Sequence, residues 1–195
     1  MSKPAQPAPV QAPTYTRMTG RRVFVTGAGS GIGRATALRM AAEGARVACA
    51  DLKGAMDTAA EIKGSGGQAH GFDLDVTSAT AVQSAIDAAA SSLGGLDVLC
   101  NIAGIGHFAH SHEETPEWFD RIVSVNLNGT FYCSRYALPH LMKSAEANGR
   151  DGVIVNTAST SGLMGAPWAK CPIPAMLQST SSPPRDDAAA SMADW

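Results

Sequence analysis

The stretch Thr26-Gly27-Ala28-Gly29-Ser30-Gly31-Ile32-Gly33 concentrates glycine between an apolar run, Val23–Val25, and residues with helical spacing. Glycines at such a turn serve three ends. They permit a tight reversal, let backbone N–H groups approach a pyrophosphate, and allow a helix to pack closely on a strand. Gly31, Ala35, Leu38 and Ala42 share one face by their 4-3-4 spacing, which gives Gly31 the packing role. Asp51 ends the next apolar run, eighteen positions beyond Gly33, where a carboxylate can accept both hydroxyls of a ribose. Alone, Asp51 reads equally well as a solvated loop acid; beside the glycine turn, the ribose role prevails. Ser30 and Leu52 are uncharged and offer no cation to a 2′-phosphate, which favours NAD over NADP.

Strands and helices must alternate to position these groups. Val23–Val25, Val47–Ala50, Ala69–Phe72, Val98–Cys100 and Val153–Val155 read as strands. Between them lie the helix after the glycine turn, ended by Gly44, and a weaker one around Met56–Ile62. A third is capped by Ser78, with Val82, Ile86, Ala89 and Leu93 on one face, and a long stretch from Pro116 to about Lys143 is expected to bend at Pro139. Trp118 and Phe119 near its start read as core residues. Five continuous apolar runs alternating with amphipathic helices predict an α/β fold, a Rossmann-like doubly wound parallel sheet with helices on both faces.

Composition bounds the function. The 195 residues carry a formal net charge of -2 and supply no basic footprint for nucleic acid. Cys49, Cys100, Cys133 and Cys171 lack metal-ligand or redox spacing and read as buried thiols in a reducing compartment. No apolar run is long enough for a membrane span, and the N-terminus has no hydrophobic signal core, so a cytoplasmic setting is expected. Residues 1–19, with Pro4, Pro7, Pro9 and Pro13, read as a disordered or polyproline-like tail, and residues 168–195 as a divergent, disordered one. His107, His110 and His112, with Glu113 and Glu114, resemble a metal cluster in composition only, and read instead as a loop lining the mouth of a site; no metal is expected.

The spacing Thr-Gly-x3-Gly-x-Gly resembles that of the short-chain dehydrogenase/reductase family, and further motifs follow in the family's order. By that resemblance Gly27, Ser30, Gly31, Ile32, Gly33 and Asp51 would hold the cofactor, NAD. Asp75-Val76 resembles the family's adenine-side contact. Asn101-Ile102-Ala103-Gly104 resembles its Asn-Asn-Ala-Gly motif, with Ile102 replacing the second Asn and Asn101, Ala103 and Gly104 counted as cofactor residues. Asn126 matches the helix Asn that supports a proton-relay water, and Ser159 the Ser that orients the substrate. Taken singly, Asp75 could be a helix-entry acid, Asn126 a buried hydrogen-bonding residue and Ser159 a turn former. The resemblance spans about Gly20 to Pro167 and implies hydride transfer between NAD and an alcohol or ketone.

One departure stands out. The family carries Tyr-x3-Lys about a dozen residues after the Ser, the Tyr as general acid/base and the Lys lowering its pKa and holding the nicotinamide ribose. Here the stretch reads Trp168-Ala169-Lys170-Cys171-Pro172-Ile173-Pro174, and the tyrosines are Tyr15, Tyr132 and Tyr136, all upstream. Loss of that proton-transfer group would cost roughly 10²–10⁴-fold. The shift to proline-rich, pattern-free sequence after Pro167 suggests a changed reading frame, a miscalled exon or an alternative splice, giving an incomplete domain that lacks its last two strands. Impaired turnover, a non-catalytic NAD-binding module and a non-functional product are then the readings to separate. Val153–Val155 would be an exposed apolar edge, and the family's homo-oligomer, built through the missing helix, would not be expected.

Overall fold

The computed structural model describes residues 16–107 and 112–159. Its strands are the apolar runs: β1 (Arg22–Thr26), β2 (Arg46–Asp51), β3 (Gln68–Asp73), β4 (Val98–Asn101) and β5 (Val153–Asn156). All pair in parallel, in the order β3-β2-β1-β4-β5. Helices on both faces explain the unbroken apolar runs, because both sides of each central strand must be buried. Val23 and Val25 of β1 face a cluster with Val47, Cys49, Ala37 and Ile62, whereas Phe24 faces the opposite cluster with Leu99, Ile86 and Leu141. Each large side chain so enclosed contributes on the order of 1.5–3 kcal/mol.

Helices α1 (Gly31–Ala42) and α2 (Ala55–Gly64) cover one face; α3 (Ala79–Leu93) and α5 (Gly129–Asn148) cover the other. Ser78 caps α3 by accepting from the Ala81 N–H, and Val82, Ile86, Ala89 and Leu93 are buried as their spacing predicts. From β1 the chain winds outward to β3 and then returns to lay β4 on the other side of β1. The strand order therefore reverses between β1 and β4, where open α/β sheets form their ligand crevice, outside the C-terminal strand ends.

Several expectations are corrected. The buried face of α1 is Gly33 and Ala37, with Leu38 only partly buried, rather than Gly31, Ala35 and Ala42, which are exposed. So many small residues in that helix let a 4-3-4 spacing fit more than one face. The long helix divides before Pro139: α4 (Pro116–Val123) passes through one π turn, Ser124–Asn128, into α5, which continues without interruption past Pro139 to Asn148. Trp118 and Phe119 are exposed rather than core. Residues 16–19, read as the end of the tail, fold back on α1: Met18 N–H donates to the Glu43 carbonyl, and Arg17 pairs with the Glu43 carboxylate at 3.0 Å. Val153 and Val155 of β5 are exposed, and among the described residues β5 pairs only with β4. Residues 1–15 of the expected N-terminal tail and all of 168–195 lie outside the described residues.

Candidate functional site

A cleft of ≈ 490 Å³ opens at the C-terminal ends of β1, β2 and β4, and the glycine turn forms one wall. Each glycine there has its own constraint. Gly27 (φ +70°) and Gly31 (φ +48°) adopt left-handed backbone that other residues reach only with strain. A Cβ on Gly29 would stand 1.8 Å from the Lys53 carbonyl oxygen, and one on Gly33 would stand 2.0 Å from that of Gly27. The close helix–turn packing therefore belongs to Gly33. At Gly31 a Cβ would meet nothing within 4 Å, so its backbone is bared to the cleft. Ser30 is the N-cap of α1 but its side chain makes no cap hydrogen bond, and the first turn holds no acid. Backbone N–H groups left unanswered in this way, together with the helix dipole, suit an anion.

Asp51 does more than the sequence suggested. Its Oδ2 accepts from the Gly29 N–H at 2.9 Å and its Oδ1 from the Lys53 N–H at 3.2 Å, so the carboxylate braces the turn while lining the cleft. Each carboxylate oxygen retains a lone pair for a hydroxyl donor. Ser30, Ile32 and Gly33 line the same wall, and Asp75, Val76, Ala103 and Gly104 line others. Asp75 Oδ1 accepts from the Thr77 N–H (2.9 Å) and hydroxyl (2.7 Å), so it shapes the entry to α3 as well as the cleft. Val76 is buried against Gly129, whose Cβ would meet it at 2.8 Å.

Asn101 is placed differently. Its side chain is buried between β4 and β5, where Nδ2 donates to Ser134 Oγ (3.1 Å) and Asn156 Oδ1 (2.9 Å). It borders a smaller cavity of ≈ 190 Å³ that Asn126, Thr130, Thr157 and Ser159 also line. Asn126 lies in the π turn, a distortion frequent at functional sites. Its Oδ1 accepts from the Ile105 N–H and its Nδ2 donates to the Ile105 carbonyl, both at 2.9 Å. The side-chain amide thus fixes the loop after β4, which leads toward the cleft mouth. The structure brings Asn126 and Ser159 to one cavity and the glycine turn, Asp51 and Asp75 to the adjoining one.

Several contributors escaped the sequence reading. Thr26 Oγ1 accepts from the Ile102 and Ala103 N–H groups at 3.0 and 3.1 Å, tying the ends of β1 and β4 together. Its only sequence signal was its place before Gly27. Thr58 Oγ1 donates to the Ala28 carbonyl at 2.8 Å from within α2, and nothing local announces that. At the rim, His107 Nδ1 meets Glu114 at 3.0 Å, and the imidazole stacks on Trp118 with centroids 4.4 Å apart. Arg121, which lines the cleft, lies 5.5 Å from that indole. His107 and Glu114 thus bond each other; His110 lies outside the described residues. Among the described residues, no group of three or more His, Cys, Asp or Glu could hold a metal. Burial pushes the Cys49, Cys100 and Cys133 thiols up to about 12, so none is a ready nucleophile; Cys171 lies outside the described residues. No helix among the described residues is long and apolar enough to cross a membrane.

The short chain dehydrogenase family model matches residues 21–171. The meso-2,3-butanediol dehydrogenase of Serratia marcescens is 43% identical over 155 residues, covering 78% of this chain and 58% of that protein. The D-threitol dehydrogenase of Mycolicibacterium smegmatis is 41% identical over 145 residues, 73% of this chain and 54% of its own length. A crystal structure of a short chain dehydrogenase from Mycobacterium avium superposes with a TM-score of 0.71 at 37% identity, covering 78% of this chain and 56% of that one. The chain therefore spans just over half the length of these relatives. It belongs to the short-chain dehydrogenase family.

Proposed function

We propose that this short-chain dehydrogenase chain forms the NAD-binding part of an oxidoreductase that transfers hydride between NAD and a small-molecule alcohol or ketone. One observation carries the reading: an uncapped helix N-terminus on a glycine turn faces, in one cleft, a carboxylate at the end of β2. The residues fit a dinucleotide. The α1 N-terminus, with Gly27, Ser30, Gly31, Ile32 and Gly33, would receive the pyrophosphate, and Asp51 the ribose hydroxyls. Asp75, Val76, Ala103 and Gly104 would bound the rest, with Asn101 acting from beneath by joining β4 to β5. Ser30 and Leu52, the cleft-lining residues of the turn and next to Asp51, are uncharged, which supports NAD over NADP. A bound nicotinamide would supply the hydride donor or acceptor. Ser159 would orient the carbonyl or carbinol oxygen, and Asn126 would hold a relay water. The names of the two relatives, one a diol dehydrogenase and one a polyol dehydrogenase, support an alcohol substrate, and the buried free thiols support a cytoplasmic setting.

A second reading, a binding module without turnover, is favoured by the tyrosines. Tyr132 and Tyr136 pack against the α3–α5 core, and neither lines the cleft. Tyr15 lies outside the described residues. We therefore expect proton transfer to be impaired, by roughly 10²–10⁴-fold. Fluorescence titration of the purified chain with NADH and NADPH, followed by alcohol and ketone assays, tests both readings. NADH should bind at least about tenfold tighter than NADPH, and Asp51→Asn should erase most of that preference. Failure to bind either nucleotide refutes the cleft assignment. NADH binding with background turnover selects the binding module, whereas turnover at the rate of an intact enzyme refutes impaired proton transfer.

A further inference from the structure

The opposite end of the sheet carries a second cavity, ≈ 290 Å³, bordered by Arg21, Arg22, Arg46, Arg150, Asp97 and Asn148. We propose that it is a binding site for a small, multiply charged oxyanion of the phosphate type. Four guanidinium-bearing residues converge there with a single carboxylate. That carboxylate serves Arg22: Asp97 accepts from its Nε at 2.8 Å and its Nη2 at 2.5 Å, and also from its backbone N–H at 2.9 Å. Arg22 and Asp97 thus form a closed, buried floor. Among the described residues the Arg21 guanidinium donates to a neutral acceptor, the Asp151 carbonyl, at 3.3 Å, and feels the Asp97 charge only from beyond ion-pair distance. No carboxylate lies within ion-pair distance of the Arg21, Arg46 or Arg150 guanidinium groups among the described residues.

The topology makes this arrangement costly without a ligand. Arg22 and Arg46 are register partners on adjacent parallel strands, so both side chains leave the same face of the sheet. Like charges at paired positions repel, and Asp97 neutralises only one of them. Arg21 precedes β1 and Arg150 follows α5, bringing two more cations to the same rim. Guanidinium groups grip phosphate oxygens through paired hydrogen bonds, and a dianion would offset the surplus positive charge. The cavity suits inorganic phosphate, pyrophosphate or a small phosphomonoester. The chain's net charge of -2 argues against a polyanion such as nucleic acid. Arg46 and Asp51 are the two ends of β2, about 16 Å apart along extended chain, so the two sites lie at opposite ends of the strands.

Pyrophosphate titrated calorimetrically into the full chain, at constant ionic strength set with potassium chloride, tests the proposal. Saturable binding is expected, at least about tenfold weaker in Arg46→Gln and in Arg150→Gln, with Arg46→Lys keeping part of the affinity. Both Gln variants alter side chains outside the buried floor, and a thermal melt at or above that of the parent shows that they fold. The cleft at α1 is a second destination for pyrophosphate, so the titration is repeated with Gly31→Val, which obstructs that wall; affinity at the arginine site should be unchanged. Binding no stronger than the chloride control, affinity equal to the parent's in both Gln variants, or loss in Gly31→Val alone overturns the proposal.

Discussion

Gly33→Ala sets two physical effects against each other with opposite signs. Position 33 is inside α1, where replacing glycine by alanine should stabilise a helix by about 0.5–1 kcal/mol. The new Cβ, however, would lie 2.0 Å from the Gly27 carbonyl oxygen and 2.4 Å from its carbon. Ordinary contact begins near 3.4 Å, so α1 would have to withdraw from the turn by roughly 1.4 Å. The obstacle is backbone and cannot swing aside. Overpacking of this kind costs about 1–3 kcal/mol, which outweighs the helix gain and leaves a net loss of about 1–2 kcal/mol. At a few degrees per kcal/mol for a domain of this size, the melting temperature should fall by ~3–8 °C. The moved turn should also weaken NADH by about tenfold or more. Gly64→Ala is the internal control, since it lies in α2 and its Cβ would meet nothing within 4 Å. It should match or slightly exceed the parent's melting temperature. If Gly33→Ala melts higher than the parent and binds NADH equally well, the steric reasoning is wrong.

Asn126→Ala removes both bonds to the Ile105 backbone and should cost about 1–3 kcal/mol, because a partly buried N–H and carbonyl lose their partners. Calorimetric melting should register the loss; an unchanged melt would show that water replaces the amide at no cost. Asp97 carries the pH prediction. Burial pushes its carboxyl up, but hydrogen bonds and charge from Arg22 outweigh that and hold it below the usual carboxylate range. A carboxyl depressed on folding stabilises the fold above its unfolded value near 3.9, and that contribution disappears as pH falls through the lower folded value. The melting temperature should therefore decline below about pH 4. Asp97→Asn should be less stable by about 3–5 kcal/mol at pH 7 and show a flatter acid limb. Parallel melting curves for both proteins from pH 3 to 7 would remove Asp97 from that account.

What the sequence discloses about this fold follows from the range of the interactions. The strands were legible because a parallel sheet covered on both faces requires continuous apolar runs, and Val23–Val25 and Val98–Cys100 supply them. The α3 face was legible because its apolar residues are large and leave one spacing possible. The α1 face was not, because Gly33 and Ala37 bury a surface made of absent side chains, which no hydrophobic period reports. The site divides along the same line. Gly27, Gly31 and Gly33 form a local unit in which each glycine answers a need of its own turn, whereas Asp51 reaches Gly29 across 22 positions and was marked only by its place at the end of an apolar run. Asn101 and Asn156 are register partners on β4 and β5, and Asn126 holds Ile105 across 21 positions. Such pairs exist only once the topology brings the strand ends together, so their side chains look interchangeable in sequence. The rim formed by His107, Glu114 and Trp118 makes the same point from the other side. Three residues that suggest a metal or a core in composition become, when folded, a stack that presents Arg121 beside the cleft. Residue type alone pointed to the turn because its glycines are constrained by neighbours in sequence. At the rim and between the strand ends it could not, because there the chemistry belongs to pairs.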